Sequence, residues 1–433
     1  MFYSLINQLN FKRYSPDELV TIARDYSKQA RDKIENKPSS LLMASSYLKK
    51  SLPKSAFPEI LSMDFGGSNL RLGILSFDPQ TQRLSIKQGT KFTVIELQGS
   101  KYSLDGLMTT ISDSILNFLE EMNTPQITHM GFTFSFPAQI IKVGEYFDAV
   151  RNEMDEDWGK GFFVSGSKTN ISKVLREKLR KAGLKLTKMI TMNDVSALLF
   201  CDPQALLSVI VGTGYNIGVL FGDKTLCNTE TKFYTSQFLI DTLHKPAQLL
   251  LKEMQEEYQN IYQSMENFIP LYTEVQVGGG YLYKLLIMSL CFCGETNLNL
   301  IKAIISKESA AVSLILEKKF QQLANEKIST LSPQEQKILL EIVQEIVWRS
   351  SDLVAAQLAG ALLFEQEQGI KDAPLTIAAD GSVIRYLPRF KEQVLAKIKE
   401  ILLTVNAPNA ASVNIKLLEN TGVWGAAYGV LGN

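Results

Sequence analysis

The chain has 433 residues, 45% hydrophobic and 21% charged, so it is globular and long enough for two large lobes or domains. Its 45 basic residues balance 45 acidic ones, which excludes the strongly basic surface of a nucleic-acid binder. Two histidines and four cysteines without zinc spacing exclude a disulfide framework and a Cys/His metal cluster, and such sparse thiols suit a reducing, cytoplasmic setting.

Met1 to Leu9 is broken by Asn7 and has no basic residue ahead of its apolar stretch, unlike a secretory signal. Ser15-Pro16-Asp17-Glu18 is a helix start, and residues 16 to 50 read as helical. Pro53 and Pro58 punctuate the entry to L-S-M-D-F-G-G-S-N-L-R-L-G-I-L-S-F, residues 61 to 77. In that stretch Asp64 closes an apolar strand, Gly66-Gly67-Ser68-Asn69 makes a tight turn, and Arg71 stands near the start of the next strand. Glycine turns let backbone N–H groups approach phosphate oxygens because no Cβ intervenes. A carboxylate beside such a turn can hold Mg²⁺, through water because that ion dehydrates reluctantly. The same residues also suit an ordinary hairpin.

A helix over about residues 105 to 122 would bury Leu107, Ile111, Ile115 and Leu119 on one face. Met130 to Phe136 reads as a short strand ended by Pro137, and Thr187 to Met192 as another, followed by Asn193-Asp194 and an apolar helix. An Asp in that position is ordinarily an N-cap. Residues 206 to 222 form strand, Gly212-Thr213-Gly214 turn and strand, a weak internal repeat of the first hairpin. Tyr281 to Cys293, the best membrane candidate, is too short and carries Lys284. The longest helix spans 333 to 367, opened by a Ser332/Glu335 capping box with Pro333 at its first position and closed by Gly369. After Pro374, L-T-I-A-A-D-G-S returns a strand that ends at a glycine turn. No G-x-x-x-x-G-K-[ST] loop occurs, which speaks against a P-loop enzyme.

An ordered series then stands out: G-F-T-F-S-F-P-A-Q (131 to 139), W-G-K-G-F-F-V-S-G (158 to 166), N-D (193 to 194), G-T-G (212 to 214) and N-T-E (228 to 230). In this order, and with the first hairpin, it resembles the hexokinase family of ATP-dependent sugar kinases. The likeness reaches P-S-S-L-L-M (38 to 43) upstream, and R-S-S-D-L-V-A-A-Q-L-A-G (349 to 360) and A-D-G-S-V-I-R-Y-L-P-R-F (379 to 390) downstream, so it covers nearly the whole chain. It implies an α/β, two-lobe actin-like ATPase (ribonuclease H-like) fold, each lobe a mixed β-sheet flanked by helices. The expected division is an N-terminal helical segment, 1–55, packing on the large lobe; a small lobe, 56–193, to which 422–433 returns; and a large lobe, 194–421. The implied activity is MgATP-dependent phosphorylation of a hexose at its 6-hydroxyl, the first step of glycolysis. Glucose comes first, with mannose, fructose or an amino sugar open. The implied protein is a cytoplasmic monomer or homodimer whose lobes close on the sugar, with no nucleic-acid or membrane partner.

Carried over residue by residue, the resemblance puts Ser135, Lys160, Asn193, Asp194, Asn216, Glu230 and Glu274 on the sugar. Asp194 is the implied general base, and Lys160 bridges sugar and transferring phosphoryl group. Asp64, Gly66, Gly67, Ser68, Asn69 and Arg71 would serve ATP phosphates and metal, with Asp64 holding Mg²⁺ through water, and Thr213 would hold phosphate from the other lobe. Gly381 and Ser382, with the Ser350–Ala356 stretch, would border the adenosine, and Asn420 and Gly422 resemble the family's terminal glycine-rich turn. Carboxylates and amides suit a sugar because they fork its hydroxyls, and an unmatched buried polar group costs about 1–3 kcal/mol.

The chain departs from the family at two places. Gly159 replaces the Thr of W-T-K-G-F, and Thr231-Lys232 replace the Trp-Gly that follows the Glu of N-x-E-W-G. Both put sugar preference in question. Two other functions share these features: a sugar-binding sensor or regulator that lost turnover, and an actin-like ATPase acting on a protein.

Overall fold

The computed structural model describes residues 9, 11, 13–51, 59–66, 69–78, 80–81, 83–97, 101–124, 126–136, 138–151, 158, 163–166, 169–262, 269–293, 298–323, 331–370 and 374–433. The chain divides into two units: Met1–Met43, Val209–Ile217 and Thr229–Leu417 make the first, and Ala44–Ser208, Gly218–Asn228 and Leu418–Asn433 the second.

The second unit is built on a nine-stranded mixed sheet. Its middle is parallel: Lys188–Met192 pairs with His129–Phe134, which pairs with Ile60–Phe65. Ile60–Phe65 then turns into Asn69–Asp78 as an antiparallel hairpin, with Asp64 opposite Arg71. Every residue of Ile60–Phe65 is buried, the near-continuous apolar run expected of a strand covered on both faces. The helix expected over 105 to 122 is Leu104–Glu121, capped by Ser103.

The C-terminal helix, Thr421–Gly432, returns to this sheet. A Cβ on Gly131 would overlap the Ala426 carbonyl, and one on Gly425 would overlap the Ala197 carbonyl of helix Asp194–Cys201. Thr133 Oγ1 donates to the Gly422 carbonyl at 2.7 Å, and Ser62 Oγ donates to the Val423 carbonyl. Glycine thus allows the backbones to touch, and buried hydroxyls satisfy carbonyls in the helix's first turn.

In the first unit, the N-terminal helix Pro16–Ile34 packs on the long helix Pro333–Glu367. Both open with the complete capping box and a Pro in the first turn. Gly360 lets them close: a Cβ there would fall 2.8 Å from Tyr26 Cβ. Strand Thr376–Asp380 pairs parallel with Asn414–Leu417.

The helical reading of residues 16 to 50 needs correction. The helix stops at Ile34, and Ala44–Lys49 is a strand antiparallel to Thr225–Asn228. Asn36 takes a left-handed φ of 57°, and Pro38, which lacks an N–H, could not continue a helix. Among the described residues no helix is long and apolar enough to cross a membrane.

The long helix carries charge in its buried middle. Arg349, 3% exposed, donates to Tyr14 Oη at 2.6 Å and to Gln276 Oε1 at 3.1 Å. Asp352, 1% exposed, faces Arg13 at 3.6 Å, and neither of its oxygens has a hydrogen-bond partner among the described residues. Burial, only partly countered by Arg13, Lys397 and Arg349, raises its carboxyl from 3.8 to about 6. The folded chain therefore holds this proton more tightly than the unfolded one. The associated stability is present below pH 3.8 and is lost as pH rises through about 6, roughly 3 kcal/mol at 1.36 kcal/mol per unit. Asp352→Asn should accordingly gain stability relative to wild type by up to about that amount between pH 4 and pH 7. Denaturation midpoints at pH 4, 5, 6 and 7 test this, and a difference that stays flat across the series contradicts it.

Candidate active site

The second unit places several of the expected residues along one edge of its sheet. Asp64 stands level with Thr133, and Thr133 with Met192, across the three parallel strands. Asp64-Phe65-Gly66, Ser135 and Asn193-Asp194 therefore leave the same carboxyl-terminal edge. At a strand spacing of about 4.8 Å the outer two of these strands lie about 10 Å apart there. The crevice outside the carboxyl ends of parallel strands is where open α/β sheets bind ligands.

Asp64 is 8% exposed and forms a 2.9 Å ion pair with Arg71 Nη1. Gly66 lies against Ser135, whose N–H donates to the Phe65 carbonyl at 3.0 Å; a Cβ on Gly66 would sit 3.2 Å from Ser135 Oγ. Gly422 presses on Asp64 from the start of the C-terminal helix, where an added Cβ would be 2.6 Å from Oδ2. Asn420, left-handed at φ 52°, turns the chain into that helix. Asn69 begins the second hairpin strand and pairs across to Glu96.

Asn193 caps the helix Asp194–Cys201 by accepting the Val195 N–H at 3.1 Å, and Asp194 Oδ1 accepts the same N–H at 2.9 Å. Asp194, in the first turn of that helix, is half-buried. A helix N-terminus favours negative charge, so the site holds a carboxylate in a fixed orientation. Trp158, 1% exposed, stands edge-on to Phe134 and Phe136 with ring centroids 5.5 and 5.3 Å away, which makes it a packing residue. Gly67, Ser68, Gly159 and Lys160 lie outside the described residues.

The first unit gathers the other set. The Gly212-Thr213-Gly214 turn follows strand Ala205–Val211. Its carbonyls are taken by the next glycine run: Gly279 N–H donates to Gly212 O at 2.7 Å, and Gly280 N–H to Thr213 O at 3.0 Å. Gly381, at φ 110°, passes so close to the Val211 carbonyl that a Cβ would overlap it, and brings Ser382 N to 3.6 Å from where a Gly212 Cβ would be. Glu274, 9% exposed, opens the short helix Glu274–Val277, with Oε1 2.8 Å from the position of a Gly214 Cβ. Asn216 Oδ1 accepts the Thr231 N–H at 3.2 Å, which ties it to the turn carrying Glu230. Glu230, also 9% exposed, has a left-handed φ of 50° and pairs with Lys232 at 3.4 Å.

Ser350–Ala356, expected beside adenosine, is 0–1% exposed and offers no surface to a ligand in this structure. The sequence pattern assigns the Gly278-Gly279-Gly280 run no part in this turn, which it backs in the structure. Its signal was there: three glycines at the start of an apolar helix have no local use, so they mark a close backbone approach. The C-x-C cysteines, Cys291 and Cys293, are free, and no group of three or more His, Cys, Asp or Glu suited to a metal occurs among the described residues.

Comparison with known proteins now bears on these features. One family model described as hexokinase matches residues 7–202, and a second with the same description matches 206–431. Hexokinase-3 of Homo sapiens is 22% identical over 90% of this chain, which spans 43% of that protein. A hexokinase of Schistosoma mansoni is 23% identical over 85% of this chain, which spans 84% of it. Among solved structures, a Schistosoma mansoni hexokinase complexed with glucose has a TM-score of 0.76 at 19% identity, covering 100% of this chain and 99% of that one. A second hexokinase crystal structure has a TM-score of 0.74 at 18% identity, covering 99% of each chain. These structural likenesses show the fold: α/β, of the two-lobe actin-like ATPase type, with mixed sheets and flanking helices.

Gly422 gives a test in which two effects oppose. Gly→Ala inside a helix ordinarily gains about 1 kcal/mol. Here the new methyl would lie 2.6 Å from Asp64 Oδ2, and overpacking of that kind costs about 1–3 kcal/mol. Gly422→Ala is expected to lower the unfolding midpoint and to displace Asp64 from Arg71. A raised midpoint would mean that the contact is looser than described.

Proposed function

The chain belongs to the hexokinase family, and from that premise we propose that it transfers the γ-phosphoryl group of ATP to the 6-hydroxyl of a hexose, glucose first, as the opening step of glycolysis. The observation that carries this reading is the level row Asp64, Thr133, Met192, from which the metal-side carboxylate and the Asn193-Asp194 pair emerge on one sheet edge about 10 Å apart.

The donors present fit a nucleotide with a hydrated Mg²⁺. Asp64 would offer hard oxygens to that hydrated ion and is already set by Arg71, and Gly66 and Gly422 leave no Cβ around it. Thr213, in a turn held from behind by Gly279 and Gly280, fits a phosphate contact, and Gly381 and Ser382 fit a close backbone approach to a ligand. MgATP, when bound, supplies the phosphoryl group and neutralises charge on it.

The chain's own residues do the rest. Asp194 accepts the 6-hydroxyl proton as that oxygen attacks phosphorus, from a carboxylate oriented by the Val195 N–H. Asn193 keeps the helix turn in register. In the first unit, Asn216 offers an amide and Glu230 and Glu274 offer carboxylate acceptors to ring hydroxyls; in the second, Ser135 offers a hydroxyl, and Lys160 is carried over from the family pattern as the bridge between sugar and phosphoryl group. Asn69 and Asn420 shape the two ends of the phosphate turns.

Asp194→Ala is expected to lower kcat by about 10²–10⁴-fold while hexose affinity stays within roughly tenfold, because the base acts in the transition state. Coupled ADP release and sugar titration by intrinsic fluorescence measure the two separately. Normal turnover in this variant would remove Asp194 from the base role. Hexose binding by wild type without any ADP release would favour the sensor.

A further inference from the structure

Lys232 stands where the family carries glycine, and its ammonium is built into the turn that holds Glu230. Nζ lies 3.4 Å from Glu230 Oε2 and 4.9 Å from the Phe233 ring centroid. The two side chains are 22% and 11% exposed, so the pair is largely shielded and screening by salt is weak.

The turn itself is fixed. Glu230 is held at φ 50°, and the 3₁₀ turn Thr231–Phe233 follows directly. Thr231 Oγ1 is 2.5 Å from Tyr26 Oη and 2.6 Å from Thr229 Oγ1, a buried hydroxyl cluster that pins the turn to the N-terminal helix. The Glu274–Val277 helix packs on the same turn. Glu230 and Glu274 thus belong to one corner of the first unit, two carboxylates that together favour any cation placed near them. Lys232, paired with Glu230, offsets that carboxylate's charge and opposes a second ammonium brought to it.

We propose that Lys232 is a specificity-determining residue that turns this corner against protonated amino sugars and toward neutral hexoses. The inference rests on the reading of Glu230 as a sugar contact and narrows it: an amino sugar is the disfavoured substrate class.

The test compares kcat/KM for glucosamine, glucose and 2-deoxyglucose, at a pH where the sugar amine is protonated, in wild type, Lys232→Met and Lys232→Arg. Removing the charge while keeping the stem should raise the glucosamine-to-glucose ratio about tenfold, whereas Arg should preserve the wild-type ratio. The 2-deoxyglucose-to-glucose ratio, which involves no amine, should stay constant in all three. If Lys232→Met folds poorly, Lys232→Gln makes the same comparison. An unmoved glucosamine ratio overturns the inference, as does an equal change in the 2-deoxyglucose ratio, which would mean a merely structural role. Wild-type turnover of glucose is the separate control. Its absence removes the functional reading and this inference with it, whereas glucose turnover with an unmoved ratio removes the inference alone.

Discussion

The structure depends on places where a Cβ is missing. In the second unit, the C-terminal helix carries four glycines in 12 residues, at a helix-propensity cost of about 3–4 kcal/mol. That cost is offset by contact: Gly425 meets the Ala197 carbonyl, Gly131 opposite accepts Ala426, and Gly422 reaches Asp64. Any side chain at these points would push the helix off the sheet and move the carboxylate at its edge. In the first unit the same device fixes the Gly212–Gly214 turn, with Gly279 and Gly280 behind it and Gly381 beside it. The candidate-site turns in both units are therefore positioned by packed backbone, which is stiffer than packed side chains.

Buried charge is handled differently in the two kinds of region. Arg349 has partners for its fork, in Tyr14, Gln276 and Thr242, so its burial is compensated. Asp352, one turn along, faces Arg13 but has no hydrogen bond among the described residues, and resolves the conflict by holding a proton more readily. In the candidate site the carboxylates are set by short-range partners instead: Asp64 by Arg71, Asp194 by the Val195 N–H, Glu230 by Lys232. Such placement keeps acceptors oriented before any ligand arrives, the preorganisation that transfer chemistry needs.

Local features were legible in the sequence because their causes are local. The capping box at Ser332/Glu335 and Pro333 marked the long helix to its first residue, and strand–turn–strand patterns marked both hairpins. Asp64 and Asp194 were recognisable as strand-end carboxylates, but their shared edge depends on a three-strand register that no local pattern encodes. The helix reading over 16 to 50 runs too far because its start signal carries no stop, and Asn36 and Pro38 are breakers strong enough to end it. Ser350–Ala356 read as a ligand border, yet its small residues serve helix packing, a distinction set by what lies across from them. Lys232 was visible as a departure, but its pairing with Glu230 needed the turn's geometry.

The most direct test follows the phosphoryl group itself. Uniformly ¹³C-labelled glucose, ATP and Mg²⁺ are incubated with the full chain and followed by ¹³C and ³¹P NMR. The account predicts a phosphorus-coupled C6 signal that grows in step with ADP. Free inorganic phosphate with unmodified sugar, or phosphate on any other ring oxygen, would contradict it.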